Sequence, residues 1–174
     1  MSDAHVHLLS DAASRPAEAA AVVLEDIDEK ALHAMPQGGS SIAWLIWHAG
    51  RQMDVQLAAL CDDPQVWEEG SWAQRLGVSR GADTFGFGDS QDVVAALHVD
   101  DPAALGDYLA AVVTRLRGYV EGLPASALDE VVDTSYEPAV TRGVRLVSII
   151  DDAVAHIGQA AYVRGIVDSW SIGY

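Results

Sequence analysis

Four long stretches of the sequence carry apolar residues at the spacing of one helix face, and no strand-like alternation competes with them. The pattern predicts four helices, over residues 7–24, 42–60, 102–123 and 144–168. Pro16 is the weak point of the first helix, because a proline inside a helix removes a backbone hydrogen bond. Helices with apolar faces bury them best against one another. The sequence therefore predicts an all-α protein, a single four-helix bundle domain over residues 1–174.

Local signals place the ends of the middle helices. Ser40 or Ser41 caps the second helix after the breaker run "MPQGGS", because a serine hydroxyl accepts a hydrogen bond from an early backbone N–H. Asp100 or Asp101 caps the third helix, which begins with a proline. Both helices therefore have starts that can be predicted from the sequence within one residue.

The lengths of the connections constrain the topology of the bundle. A short link makes helices one and two antiparallel neighbours, whereas the connection at residues 62–100 is long enough to cross the whole bundle. It contains the loop "DTFGFGDS" and segments that favour short helices. The predicted topology is up-down-down-up, with a long crossover between helices two and three.

The chain is strongly acidic, with 26 Asp and Glu against 10 Lys and Arg and a formal net charge of −16. Nucleic acids and anionic lipids are bound through clustered basic residues, so neither is an expected partner. Cys61 is the single cysteine, which excludes an internal disulfide. The N-terminus shows no basic region followed by an apolar run, and the expected location is the cytoplasm.

One histidine and one polar pair stand out from these apolar helices. His48 lies in the middle of "WLIWHAGRQMD", where a buried imidazole needs a partner for each ring nitrogen. In helix four Asp152 and His156 stand at i and i+4, on one face, and Gln159 continues that line. Two imidazoles and a carboxylate suit zinc, nickel or ferrous iron and leave coordination positions open. The alternative is that Asp152 orients His156 with no metal present.

The stretches "SIAWLIWHAGRQMD", "DTFGFGDS" and "RLVSIIDDAVAHIGQAAYVRG" resemble the DinB-like superfamily of four-helix metalloproteins. The resemblance is to the branch near the mycothiol-dependent maleylpyruvate isomerase N-terminal domain. It implies one metal ligand midway along helix two and two in helix four, positions that match His48, Asp152 and His156. Many members have His at the position of Asp152, and the isomerase branch has Glu. Asp departs from both patterns, and its side chain is one methylene shorter than that of Glu, so it reaches less far toward a shared ion.

The resemblance implies a metal-dependent thiol transferase or isomerase, with zinc or nickel as the foremost ions and a mycothiol-like thiol as cosubstrate. The second reactant is then an electrophile that accepts the sulfur. Candidate substrate contacts are Arg51, Gln159 and Arg164, together with Arg145, although each arginine also fits a structural ion pair. A homodimer is expected, because such bundles pair through an outer helical face. The alternative function is a non-enzymatic binding or dimerisation module with weak or no metal binding.

Overall fold

The computed structural model describes residues 4–173 of the chain. Within them the chain forms eight α-helices, two 3₁₀ turns and one two-stranded antiparallel sheet. The α-helices are α1 Ala4–Leu24, α2 Glu29–His33, α3 Ile42–Cys61, α4 Val66–Glu69, α5 Trp72–Leu76, α6 Gln91–Ala95, α7 Pro102–Glu121 and α8 Arg142–Asp168. The 3₁₀ turns are Pro36–Gly38 and Ala125–Asp129, and the strands are β1 Val131–Asp133 and β2 Val140–Thr141. The predicted all-α class is confirmed.

The four long helices α1, α3, α7 and α8 correspond to the four predicted helices. Ser41 caps α3 by accepting from the backbone N–H of Trp44 at 3.1 Å, and Asp101 caps α7 in the same manner. Thr141 caps α8, which therefore begins at Arg142, two residues before the predicted start. Helix α1 continues through Pro16, which lies on the buried face of the helix.

Helices α3 and α8 are antiparallel neighbours. The side-chain amide of Gln52 donates to the carbonyl of Ile149 at 3.0 Å, and Arg145 donates to Gln56 at 3.1 Å. Gln56 lies later on α3 than Gln52, whereas Arg145 lies earlier on α8 than Ile149. This pair of helices contains the residues predicted to bind a metal ion.

Helices α3 and α7 run in the same direction. Arg51 donates to the hydroxyl of Tyr108 at 3.1 Å, and Arg115 of α7 donates to the carbonyl of Pro64, just beyond α3, at 3.2 Å. The second contact joins residues that come later in both helices than the residues of the first contact, as in parallel helices. Parallel neighbours require a connection that returns along the bundle, and residues 62–100, which we call the crossover, supply it.

Helix α1 packs against α7 and α8. His5, at the start of α1, meets the carbonyl of Leu123, just beyond α7, at 3.0 Å, and Arg164, near the end of α8, donates to the carbonyl of Val23 at 2.7 Å. The directions are therefore up-down-down-up, as predicted. Helices α1 and α3 occupy diagonal positions, so the expectation that helices one and two are neighbours is wrong. The turn formed by α2 and residues 36–38 spans this diagonal.

The sheet was not expected from the sequence, because β1 has three residues and β2 has two, too few for an alternating pattern. It brings Val131 opposite Thr141 and lies beside the first turn of α8. The predicted single domain of residues 1–174 stays a prediction, and 1–3 and 174 lie outside the described residues. Between residues 4 and 173, no helix combines the length and apolar character needed to cross a membrane.

Candidate metal centre

The structure brings His48 of α3 together with Asp152 and His156 of α8, and we call these residues the triad. One ligand atom from each residue lies within 4.8 Å of the others. The ligand atoms around a tetrahedral zinc ion are about 3.3 Å apart, which is the spacing that these three atoms would have around a bound ion. His48 is buried, and Asp152 and His156 are half-buried. The triad is therefore reached from solvent along α8.

Both histidines use Nδ1 for a hydrogen bond, so their Nε2 atoms are available to bind a ligand. Nδ1 of His48 lies against the carbonyl oxygen of Phe85, which only accepts, so this nitrogen carries the proton. Nδ1 of His156 lies 3.2 Å from the amide oxygen of Gln159, an acceptor that favours the same tautomer. Nε2 of His156 is 3.6 Å from a carboxylate oxygen of Asp152. Metal-binding histidines are oriented by such contacts at the second nitrogen.

The surroundings of His48 favour its neutral form. Burial lowers the pKa of His48, and the nearby His156 lowers it further, against a raising effect of the Phe85 hydrogen bond. Neutral imidazole is the form that binds a metal ion, so fewer protons compete with metal at this position near neutral pH.

An indole ring forms one wall of the triad. The ring of Trp44 stacks on that of His48 with centroids 4.7 Å apart, and its edge faces His156 at 6.4 Å. Its Nε1 donates to Asp89 at 3.0 Å, and Asp89 also accepts from Arg80 at 2.6 Å. Burial alone raises the pKa of Asp89, but the hydrogen bonds from Arg80 and Trp44 outweigh it and lower the pKa. An ionised residue of the crossover thus fixes the indole that contacts both histidines.

The crossover approaches His48 so closely that only glycine fits at residue 86. Gly86 has φ of +97°, and a Cβ built there would lie 2.7 Å from Nδ1 of His48 and 3.0 Å from the ring of Trp44. Both features exclude a side chain. The loop "DTFGFGDS" was predicted, but its contact with the histidine was not. The two glycines around an aromatic residue were the sequence signal for a close backbone approach.

A model of the DinB superfamily matches residues 14–160 of the chain, a range that includes the whole triad. The chain belongs to the DinB superfamily. The crystal structure of a conserved protein from Enterococcus faecalis is similar, with 33% identity and a TM-score of 0.87 over 94% of this chain and 97% of that chain. No curated protein matches the sequence. The resemblance is confirmed for the superfamily, and the isomerase branch stays a prediction.

Arg51 of this DinB superfamily chain, a candidate substrate contact that also fits a structural ion pair, lies in a buried hydrogen-bond network. Its side chain is fully buried and donates to the carbonyls of Ala82 at 2.8 Å and Thr84 at 3.2 Å. Further bonds join it to Asp54, Gln65 and Tyr108. These partners satisfy the guanidinium, so Arg51 anchors the crossover immediately before Phe85, and its substrate contact stays a prediction.

Arg164 and Gln159 have different surroundings. Arg164 is buried near the end of α8, donates to Val23 and lies over the ring of Trp170, with 4.8 Å from Cζ to the ring centroid. It is eight residues beyond His156, which is about 12 Å along a helix, so the structure does not bring it to the triad. Gln159 does contact His156.

Proposed function

We propose that the triad binds one divalent metal ion and that the loaded protein activates a low-molecular-weight thiol for transfer to an electrophile or for isomerisation, in the cytoplasm. The observation that carries the proposal is the convergence of three ligand atoms within 4.8 Å, with both histidine Nδ1 atoms already engaged. The donor set of two imidazoles and one carboxylate fits zinc or nickel.

The residues of the chain have distinct roles in this proposal. His48, Asp152 and His156 hold the ion, and Phe85 and Gln159 orient the two imidazoles. A bound divalent ion supplies a Lewis acid that keeps a coordinated thiol deprotonated near neutral pH. Three protein ligands leave room for that thiol. The indole described above excludes water from one side of the histidines.

The first experiment measures the metal content of protein purified without an affinity tag or a chelator. We expect about one ion per chain in the wild type and loss of the ion in His48→Ala. His7→Ala is the matched control, because His7 is exposed on α1 and outside the triad. Equal metal content in both variants would remove the triad from the proposal.

The second experiment distinguishes a ligand role of Asp152 from an orienting role. Zinc or nickel is titrated into the wild type, Asp152→Asn and Asp152→Glu while thermal unfolding is followed. A ligand that binds only the folded state raises the melting temperature. We expect a rise in the wild type and in Asp152→Glu, whose longer arm also reaches the ion, and little change in Asp152→Asn. Three metal-insensitive curves support the alternative of a non-enzymatic module.

The thiol step is tested separately on nickel-loaded protein. Glutathione and N-acetylcysteine serve as probes, and a thiolate-to-nickel absorption band that saturates with thiol is the expected result. Unchanged absorption with both thiols would contradict the thiol proposal while leaving the metal site in place.

A further inference from the structure

A cavity of about 430 Å³ lies between the last turns of α3, strand β1 and the first turns of α8. This volume is in the range of small-molecule sites. Apolar side chains of its lining include Val55, Leu60 and Val132. The charged residues of the lining are Asp133, Arg142 and Arg145. We call it the α3–β1 cavity. Its lining is separate from the triad.

Arg142 has hydrogen-bonding capacity that its protein partners do not use. It donates to the hydroxyl of Tyr119 and, at 2.8 Å, to Glu130. Its Nε is buried and has no hydrogen-bond partner within residues 4–173. The side chain of Glu130 is 59% exposed, whereas that of Arg142 is 18% exposed. Glu130 can therefore turn into solvent, and a ligand carboxylate can take its place beside Arg142.

Arg145 is held in a fixed orientation at the same cavity. It donates to Gln56 at 3.1 Å and to Asp133 at 2.7 Å, and Gln56 in turn donates to Gln52 at 2.6 Å. Hydrogen bonds from Ser135, with a contribution from Arg145, lower the pKa of Asp133, so this carboxylate is ionised at neutral pH. The lining thus has two guanidinium groups and one carboxylate, and the carboxylate of Glu130, outside the lining, pairs with Arg142. These charges balance, and a positive charge becomes available to a ligand when Glu130 is displaced.

This charge balance sets the class of ligand. The chain has a net charge of −16, so most of its surface repels anions. Two of its ten basic residues line this one cavity, which therefore repels anions less than the rest of the surface does. A monoanion that displaces Glu130 preserves the charge balance, whereas a phosphate dianion adds a second negative charge beside the carboxylate of Asp133. A planar carboxylate matches the fork of a guanidinium group.

We propose that the α3–β1 cavity binds a small monocarboxylate. Its carboxylate contacts Arg142 and Arg145, and its apolar chain or ring packs on Val55, Leu60 and Val132. The site goes beyond the proposed metal chemistry and does not depend on it.

The cavity and the triad are separated along α3. Gln56 at the cavity is eight residues after His48, which is about 12 Å on a helix. Binding at the cavity is therefore measured on the metal-free full-length chain. A failure of metal binding leaves this test unaffected.

The test compares hexanoate, 1-hexanol and hexyl phosphate, which share an apolar chain and differ in charge. Titrations at constant ionic strength are followed by NMR shifts of the cavity residues. We expect hexanoate to saturate the shifts and to bind at least about tenfold more tightly than hexanol. Arg142→Gln is expected to weaken hexanoate by a similar factor. Arg15→Gln is the matched control, since Arg15 forms an exposed ion pair with Asp11 on α1, and it leaves binding unchanged.

Asp133→Asn provides a second variant with the opposite expected sign. Removal of the competing carboxylate should tighten hexanoate and allow hexyl phosphate to bind. Hexanoate that binds the wild type no more tightly than hexanol overturns the proposal, whatever the variants do. So does a folded Arg142→Gln protein that binds hexanoate like the wild type.

Discussion

Replacing Gly86 with alanine tests whether the close approach of the crossover orients His48. The new Cβ would lie 2.7 Å from Nδ1 of His48, 3.0 Å from Trp44 and 3.1 Å from Trp47. Gly88 offers a matched control, because it also has positive φ, +79° against +97°, but a Cβ there meets nothing within 4 Å. The pair separates the contact with the histidine from the backbone strain.

The expected loss of stability has two sources, the backbone strain of a positive φ and the close contact of the new Cβ with the rings. Positive φ in an alanine costs about 1–2 kcal/mol, and this cost applies to both variants. Overpacking against fixed rings adds about 1–3 kcal/mol in Gly86→Ala alone. The lower conformational entropy of unfolded alanine affects both variants equally and cancels. Gly86→Ala should therefore be less stable than Gly88→Ala by about 1–3 kcal/mol.

The assay is urea unfolding of the metal-free proteins, followed by calorimetric titration with zinc. Loss of an orienting contact weakens metal binding by about 10–100-fold, and we expect this loss in Gly86→Ala only. Equal unfolding free energies for Gly86→Ala and Gly88→Ala would refute the reasoning from the close approach. Equal zinc affinities with different stabilities would refute only the orienting role of the crossover.

Three other predictions concern acid stability, the buried network and assembly. Asp89 has a lowered pKa in the folded state, so its contribution to the free energy of unfolding is present above about pH 4 and is lost as the pH falls. The difference in unfolding free energy between wild type and Asp89→Asn should therefore shrink below that pH, and a constant difference would contradict this. Tyr108→Phe removes the hydroxyl that donates to Asp54 at 2.9 Å and accepts from Arg51. The unfolding free energy measured in urea should fall by about 1–3 kcal/mol. An unchanged value would mean that the hydroxyl contributes nothing to stability. Sedimentation at micromolar concentration tests the predicted homodimer, which a purely monomeric boundary would contradict.

The parts of the fold that were predicted correctly depend on short-range interactions. The caps by Ser41 and Asp101 join residues two or three positions apart, so a local pattern contains all the information. The pair formed by Asp152 and His156 is also local, because one helix fixes its geometry. The opposite directions of the first two long helices, and the possibility of a crossover that returns along the bundle, followed from the lengths of the connections.

The parts that were not predicted depend on distant residues. The hydrogen-bond partners of Arg51 could not be predicted, because Gln65 and Tyr108 lie 14 and 57 residues away and their packing has no local signature. The diagonal placement of α1 and α3 results from the simultaneous packing of four helices. Phe85 contributes a backbone carbonyl, which every residue possesses, so residue type could not identify it.

The contact between His48 and the crossover has a consequence for the order in which a metal site can form. His156 and Asp152 approach each other in any state that contains α8, whereas His48 gains its orienting carbonyl only when a segment 37 residues away has docked. Amide hydrogen exchange measures how often a segment such as the crossover opens locally, because the amides of an open segment exchange with solvent. A metal ion added to a chain with an open crossover meets a looser set of ligands, so protection of amides 82–89 and metal affinity should rise together. In this protein the connection that returns the chain along the bundle also supplies the last contact of the candidate metal centre.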